Sequence, residues 1–219
     1  MQLTPETQHL LQSFAKINNS IVIKEGDVLS TISNSKAILA KAKMNQSFDG
    51  EMPIYDLSRF LSVLSLFTAP NLDLKESFVT ITSDSKKLNY TFADKSLITC
   101  PPAKDIKLPS VDVEFTLSET DLISVQKAQG VLRLPEFAVV GDGKKIMFQT
   151  LDSKNVGSDI FSCEAGKTDK KFSIIFNAEN IRVLLDSYKI QISSAGLSFW
   201  KGDRAEYLIA VESNSTFEK

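Results

Sequence analysis

The sequence has little of what most catalytic and metal-binding sites require. Its 219 residues include a single histidine, His9. Histidine-rich zinc sites and iron sites with two histidines are therefore excluded, and a nucleophile activated by histidine would have to use His9. Because His9 lies on the polar side of the first predicted helix, we do not expect it to be catalytic. The sequence predicts no metal site.

A phosphate-binding loop is also missing. The glycine- and lysine-containing stretch at residues 141–145, GDGKK, departs from the GxxxxGK[ST] pattern. Asp-Gly between two apolar runs is instead typical of a two-residue hairpin. The acidic residues are spread along the chain, so a hydrolase with an unrecognised carboxylate site stays an open hypothesis that no motif supports.

Long hydrophobic runs and paired cysteines are absent as well. No stretch approaches the roughly 20 apolar residues of a membrane helix, and residues 1–18 lack the charged start and unbroken apolar run of a signal peptide. Cys100 and Cys163 form no CxxC pair, which suits thiols kept reduced in a cytoplasm. The net charge of -2 and the hydrophobic content of 42% are those of an ordinary globular protein. We expect a cytoplasmic chain of one large or two smaller domains.

Helical spacing is clearest at residues 54–67, IYDLSRFLSVLSLF. Asp56 stands as an N-cap, and one stripe of a helix collects the apolar positions Leu57, Phe60, Leu61, Leu64 and Phe67. Three more helices are predicted, from Pro5 to about Ile17, from the cap Ser118 to about Leu134, and over residues 177–187, NAENIRVLLDS.

Strand-like runs separate these helices. In the first half they are SIVIK, VLSTIS, AILAKAKM, FDGEMPIY, LDLK, FVTIT, KLNYTF and SLIT. In the second half they are VEFTL, FAVV, KIMFQTL, DIFSCEA, KFSIIF, KIQIS, LSFWK and EYLIAVE. The order of elements repeats when Asp56 is aligned with Asn177, which indicates an internal duplication. The proline-containing stretch 100–110 predicts a linker, so we place domains at residues 1–105 and 106–219. Two strand-rich copies predict an α+β fold of antiparallel sheets with two helices per domain on one face.

The polar faces of the four predicted helices share a composition. They carry mainly Lys, Arg, Gln, Ser and Asn: His9, Gln12, Ser13, Lys16, Ser58, Arg59, Ser62, Ser65, Gln126, Lys127, Gln129, Gly130, Arg133, Asn180 and Arg182. Acidic residues are mostly confined to first turns, with Asp186 the main exception. Such faces suit weak, sequence-independent contact with phosphates. An ordinary solvated surface is the alternative.

Three stretches carry a resemblance to a known family. They are Thr7-x-x-Leu10-Leu11-x-x-Phe14-Ala15-x-Ile17-Asn18-x-x-Ile21-x-x-Lys24-x-Gly26, Ile54-Tyr55-Asp56-Leu57-x-x-Phe60-Leu61-x-x-Leu64-Ser65-Leu66 and Tyr207-x-x-Ala210-x-Glu212-x-x-Ser215-Thr216. With the order of elements along the whole chain, they resemble the sliding clamps of T-even-type bacteriophages. Residue-level similarity is weak from about Ser83 to Lys171.

The resemblance implies a two-domain subunit of the DNA-clamp fold, with sheets outside and helices on the inner face of a homotrimeric ring. The ring would encircle duplex DNA and tether the replicative DNA polymerase as a processivity factor, and an ATP-dependent clamp loader would load it. Support of phage late transcription and a place in the cytoplasm of the infected host are implied too. The family has no catalytic residues and no cofactor.

The resemblance also implies three sets of site residues. The DNA-facing set is Lys16, Arg59, Lys127, Arg133, Arg182, Gln12 and Ser62. The subunit seam would pair residues 97–100 with residues 159–165 of the next subunit, through Leu97, Ile98, Thr99, Cys100, Asp159, Ile160, Phe161 and Cys163. The pocket for polymerase and loader peptides would use Ile106, Leu108, Val211 and Phe217.

Plainer interpretations stand beside each set. The seam residues fit ordinary edge strands, and the pocket residues fit linker and tail packing. For the whole chain, the alternative is a duplicated β-rich protein-interaction module that does not bind DNA.

Overall fold

The computed structural model describes residues 1–218 and divides into two compact units. The first unit comprises residues 1–104, and the second begins at Asp105. Each is described separately.

The first unit has two helices and seven strands. They follow in the order α1 (Pro5–Ala15), β1 (Ile21–Ile23), β2 (Gly26–Ile32), β3 (Ile38–Phe48), β4 (Met52–Ile54), α2 (Leu57–Leu64), β5 (Asn71–Leu74), β6 (Phe78–Ser83) and β7 (Lys86–Thr91). β1 pairs with β4, β2 with β3, and β6 lies between β5 and β7. All of these pairings are antiparallel, as the sequence predicts for an α+β fold.

The core of the first unit lies between the helices and the sheets. Leu11 and Phe14 of α1 and Phe60 of α2 are fully buried. Tyr90 of β7 meets the Phe60 ring edge-on, with ring centroids 5.1 Å apart. The apolar stripes that the sequence predicts for α1 and α2 are therefore core, and their opposite faces are left exposed.

Up to residue 218, the second unit has one helix and nine strands. They follow in the order β8 (Val113–Leu117), α3 (Glu119–Leu132), β9 (Glu136–Asp142), β10 (Lys145–Leu151), β11 (Phe161–Lys167), β12 (Lys171–Asn177), β13 (Tyr188–Ser193), β14 (Leu197–Lys201), β15 (Glu206–Ala210) and β16 (Thr216–Phe217). One sheet has the order β11-β10-β9-β12-β16, and β8-β13-β14-β15 are neighbours in another. An aromatic cluster around Trp200 fills the core, with the rings of Phe148, Phe176 and Tyr188 about its indole.

The predicted fourth helix is wrong. In its place a short 3-10 turn, Ala178–Asn180, is followed by an irregular segment that ends where β13 begins. The backbone of Leu184 is held by two tyrosines: its N–H donates to the Tyr207 hydroxyl at 3.0 Å, and its carbonyl accepts from the Tyr188 hydroxyl at 2.7 Å. Arg204 donates to the Leu185 carbonyl. Because side chains satisfy these backbone groups, the segment does not need helical hydrogen bonds.

The predicted strand SLIT is also wrong. Lys95–Leu97 forms a 3-10 turn, and the Asp94 carboxylate accepts the backbone N–H of Ser96 at 2.8 Å. The N–H of Ile98 donates to the Lys95 carbonyl. These backbone N–H groups therefore bond within the turn instead of to a neighbouring strand. The other predicted strand runs are confirmed at their cores, with boundary shifts of a few residues. The short strand β16 was not predicted.

No helix within residues 1–218 is long and apolar enough to cross a membrane.

Candidate nucleic-acid interface

The start of α1 is fixed by a capping residue and a proline. Thr4 caps the helix by accepting the N–H of Thr7 through its hydroxyl at 3.1 Å, and Pro5 occupies the first turn. Gln12 and Lys16 are exposed, as predicted, and Lys16 is the C-cap residue. Ser13, which the sequence pattern assigns to the polar face, is buried at 8% exposure.

The start of α2 is hydrogen-bonded to Asn19, a residue in the segment after α1 that no sequence pattern singled out. Asn19 accepts the N–H of Ser58 through its side-chain oxygen at 2.9 Å and donates its amide to Asp56 at 3.1 Å. Asp56 in turn caps the helix by accepting the N–H of Arg59 at 2.8 Å. The asparagine-rich turn at residues 18–20 was the available signal. These bonds fix the direction in which α2 presents Arg59 and Ser62, both exposed.

The hydroxyls on the exposed face of α2 are directed into their own helix. Ser62 donates to the Ser58 carbonyl at 2.8 Å, and Ser65 donates to the Ser62 carbonyl at 2.7 Å. With these protons used, the serines offer mainly acceptor oxygens outward, which a phosphate cannot use. The exposed α2 side chain suited to donate to a phosphate is therefore that of Arg59 rather than that of Ser62.

The helix α3 ends in an unusual way. Lys127 is exposed on it, and Arg133 follows it as the C-cap in the left-handed region, with φ 54° and ψ 40°. Glycine is the usual residue at such a helix end because a Cβ is disfavoured there. A cation near the negative, C-terminal end of a helix dipole is stabilising, which partly offsets this backbone cost. The chain thus places an arginine where glycine would adopt the backbone more easily.

Arg182 is exposed as predicted, but it belongs to the irregular segment rather than to a helix. That segment contacts α3, because the Gln126 amide donates to the Ile181 carbonyl at 3.5 Å. Lys127, Arg133 and Arg182 therefore belong to one unit, and Lys16 and Arg59 to the other. Beyond their first turns, α1, α2 and α3 contain no Asp or Glu.

The predicted seam residues divide by exposure. Leu97 and Ile160 are largely exposed and Phe161 is partly exposed, whereas Ile98 is buried within its own unit. Asp159 is exposed, and Thr99, Cys100 and Cys163 are half-buried. Burial and the nearby Asp121 carboxylate raise the pKa of the Cys163 thiol.

A groove of about 580 Å³ lies between α2 and β7 in the first unit. Its apolar lining includes Tyr55, Val63, Leu88, Tyr90 and Leu97, and Arg59 lies on its helix wall. Burial, then the Asp56 charge, raise the pKa of Tyr90, while Arg59 opposes them. No sequence pattern predicts this groove, because its walls come from separate elements.

A second cavity of about 630 Å³ lies between the β3–β4 turn and β5, also in the first unit. It carries a mixed lining that includes Asp49, Glu51, Asp73 and Glu76. Neither cavity is lined by the predicted peptide-pocket residues. Of those, Ile106 is exposed, Leu108 and Val211 are half-buried, and Phe217 is held in β16 beside β12. Within residues 1–218, no three His, Cys, Asp or Glu side chains are grouped to hold a metal ion.

Comparison with known proteins assigns the class. Residues 5–100 match the family model described as DNA polymerase processivity factor, and residues 114–213 match the model described as gp45 sliding clamp, C terminal. The two matched regions take in the three α-helices of the described residues and nearly all of their strands. By class, the chain is a processivity factor of DNA replication, and such factors are not enzymes.

Similar phage proteins identify the family within this class. The chain is 33% identical to the sliding clamp of Vibrio phage KVP40, over 97% of this chain and 99% of the relative. It is 26% identical to the sliding clamp of Enterobacteria phage T4, over 100% of both. It belongs to the phage sliding clamp family. The fold resembles that of A. fulgidus PCNA, solved with the C-terminal region of FEN-1 bound, with a TM-score of 0.65 at 13% identity over 95% of this chain and 96% of that one.

Proposed function

We propose that this clamp subunit assembles into a homotrimeric ring that encircles duplex DNA and tethers the replicative DNA polymerase. The observation that carries the proposal is the composition of the exposed helix faces, which hold Lys and Arg but no carboxylate beyond the first turn. A chain of net charge -2 that keeps acidic groups off these faces favours DNA there and disfavours it elsewhere.

Weak contact suits a ring that must move along DNA. Lys16, Arg59, Lys127, Arg133 and Arg182 are the proposed phosphate-facing cations, with Gln12 and Ser62 beside them. Phosphate contacts position a protein without reading sequence. The inward-bonded serines of α2 add no strong donors that would hold the duplex in one place.

The ring requires several copies. The described residues of one chain supply three α-helices, and helices of this length are too few to surround a duplex. Three chains would supply nine, and head-to-tail contacts that close by rotation make a ring. We place the domains at residues 1–105 and 106–219, with the predicted seam residues where subunits meet.

Partners follow from the same proposal. An ATP-dependent clamp loader would open and load the ring, and the phage transcription machinery is a further proposed partner, all in the cytoplasm of the infected host. Ile106, Leu108, Val211 and Phe217 remain the proposed contacts for partner peptides. The peptide on A. fulgidus PCNA shows that another protein of this fold accepts a partner segment.

The decisive experiment compares circular with linear DNA. Clamps loaded on nicked circles should stay bound through gel filtration and should be lost when a restriction enzyme opens the circle. An ordinary DNA-binding protein is indifferent to free ends, so equal retention on both forms would overturn the proposal. A protein-interaction module that does not bind DNA would be retained on neither the circular nor the linear form.

The helix cations are tested by a triple variant, Lys16→Ala with Lys127→Ala and Arg133→Gly. We expect faster loss from circular DNA and a shallower salt dependence, since fewer phosphates are neutralised, with unchanged trimer mass. The control removes three exposed lysines outside the helices, Lys24→Ala with Lys154→Ala and Lys201→Ala. Equal effects of both triples would show that only net charge matters. Arg59 is left out because it also lines the groove beside β7.

A further inference from the structure

Gly130 is a glycine that the fold of the single chain does not require. It lies inside α3 with an ordinary helical backbone, where glycine lowers helix stability relative to alanine. Each of the other glycines has either a positive φ or an atom within 4 Å of the place where a Cβ would lie. At Gly130 that place is open space. Neither backbone conformation nor packing within the chain explains the glycine.

Arg133, one turn further on, shows the opposite departure. It adopts, at φ 54°, the left-handed backbone that glycine adopts more easily. The N–H groups of Arg133 and Leu134 both donate to the Gln129 carbonyl, and the Gln129 amide donates to the Leu134 carbonyl at 2.7 Å. Leu134 itself is buried. These contacts fix the backbone from which the arginine side chain extends. Exchanging the residues at 130 and 133 would remove both backbone costs, so the side chains account for the order found.

The open space at Gly130 is flanked by two cations. Lys127 and Arg133 each lie three positions from Gly130, and residues three apart are neighbours on a helix surface. All three are exposed, away from the buried Leu122 and Val125. Long side chains on either side can therefore converge over a position that has none. Beyond its first turn, α3 carries no carboxylate of its own to meet them there.

The backbone of a DNA strand suits this surface. A phosphate over Gly130 would meet a cation on each side, and the adjoining deoxyribose would meet Val131, an apolar side chain that is 81% exposed. The negative end of the α3 dipole opposes an anion here. The two cations must therefore supply the attraction, and the contact is weak and sensitive to salt. A weak contact suits a protein that moves along DNA.

We propose that Gly130 is a positioning residue: because it has no side chain, a phosphate of the encircled duplex can approach α3 between Lys127 and Arg133. This rests on the proposed ring around DNA. The two cations already belong to the proposed DNA-facing set, and the glycine between them determines how closely the phosphate approaches. A larger side chain at position 130 makes the helix more stable and the phosphate contact weaker. Stability and function therefore oppose each other at this position.

Substitutions of Gly130 separate the two effects. Gly130→Ala should raise the melting temperature by about 2–4 °C in thermal denaturation followed by circular dichroism, since alanine favours the helix and meets no atom. Gly130→Leu fills more of the space. Single fluorescent clamps with this change, loaded on stretched duplex DNA, should diffuse about two- to fivefold faster than the unaltered clamp. The reason is that a lost phosphate contact lowers the barrier to each step.

The matched control is Ala128→Gly, a half-buried position of the same helix. It should lower the melting temperature by a similar amount and leave diffusion unchanged. A second comparison adds Gly130→Leu to Lys127→Ala with Arg133→Gly. In this background the leucine should no longer alter diffusion, because the phosphate has already lost its two partners. An effect of the leucine on helix structure alone would persist there.

Two results for Gly130→Leu overturn the role of this glycine: unchanged diffusion, or an effect that is equal with and without the two cations. A loss of trimer mass in light scattering overturns it as well, because the space would then belong to a contact with a second copy. These failures leave the proposed ring intact. If the unaltered clamp is not retained on circular DNA, the ring and this inference are removed together.

Discussion

Residues 56–64 and 177–185 carry one sequence pattern and adopt two structures. Each begins with a capping side chain: Asp56 accepts the N–H of Arg59, and Asn177 accepts the N–H of Glu179. The first stretch continues as α2, whereas the second stops after a single 3-10 turn. The same apolar spacing therefore occurs in a helix and in an irregular segment. It is a more reliable guide to side-chain burial than to the backbone hydrogen bonds of the segment.

The difference lies in what surrounds the two backbones. In α2 the N–H of Phe60 donates to the Asp56 carbonyl, as in any helix. Around Leu184 the hydroxyls of Tyr188 and Tyr207 occupy both backbone groups, and they come from β13 and β15. Asp186 is held as well, since its carboxylate accepts the N–H groups of Asp203 and Arg204. Long-range partners override local helix preference here.

The largest expected difference in stability is between alanine variants of Leu64 and Leu185, the last leucines that the repeat aligns. Leu64 is 5% exposed and Leu185 is 43% exposed, although the repeat aligns them. Leu64→Ala should lower the free energy of unfolding by about 2–5 kcal/mol, and Leu185→Ala by less than about 1 kcal/mol. Chemical denaturation checks both, with far-ultraviolet circular dichroism for the first unit and the fluorescence of Trp200, the one tryptophan, for the second. A loss at Leu185 as large as at Leu64 would mean that residues 177–187 fold as a helix after all.

A smaller contrast is expected at the two caps. Asp56→Ala removes the acceptor that starts an eight-residue helix, which should cost about 1 kcal/mol of unfolding free energy. Asn177→Ala removes the cap of a three-residue turn, which has few helical bonds to lose, and should cost less than about 0.5 kcal/mol. Asp56→Asn keeps a capping oxygen and serves as the control, measured by the same denaturation. Equal costs at both positions would contradict the assigned difference in local structure.

The sequence was most informative where local chemistry and burial agree. Pro5 and the caps Asp56 and Ser118 each mark the start of a helix, and the Asp-Gly hairpin joins β9 to β10. The antiparallel α+β class predicted from the helix and strand patterns is confirmed. The phage sliding clamp family, which three stretches of the chain resemble, is confirmed as well.

What could not be predicted depends on distant partners. The Tyr188 and Tyr207 hydroxyls are close to Leu184 only after β13 and β15 have paired with β14. The groove beside β7 likewise needs α2 and β7 to pack before it exists. For the candidate interface, exposure of the individual cations was foreseen, but the inward turn of the α2 serines and the left-handed backbone of Arg133 leave no local signal in the sequence.

The two tyrosines should make the second unit sensitive to alkaline pH. Burial, as the leading cause, raises the pKa of both Tyr188 and Tyr207 above the ordinary value of 10.0. The unfolded chain then loses these protons at lower pH than the folded chain, so their stabilisation is complete below about pH 9 and declines as pH rises through the unfolded pKa. Each should cost about 0.4 kcal/mol of unfolding free energy between pH 9 and pH 10. Trp200 fluorescence during denaturation reports this loss, and Tyr188→Phe should reduce it.

Tyr90→Phe is the matched control, because Tyr90 lies in the first unit and its removal should leave the Trp200 transition unchanged at both pH values. An unchanged pH dependence in Tyr188→Phe would show that its hydroxyl is not the group that titrates between the folded and unfolded states.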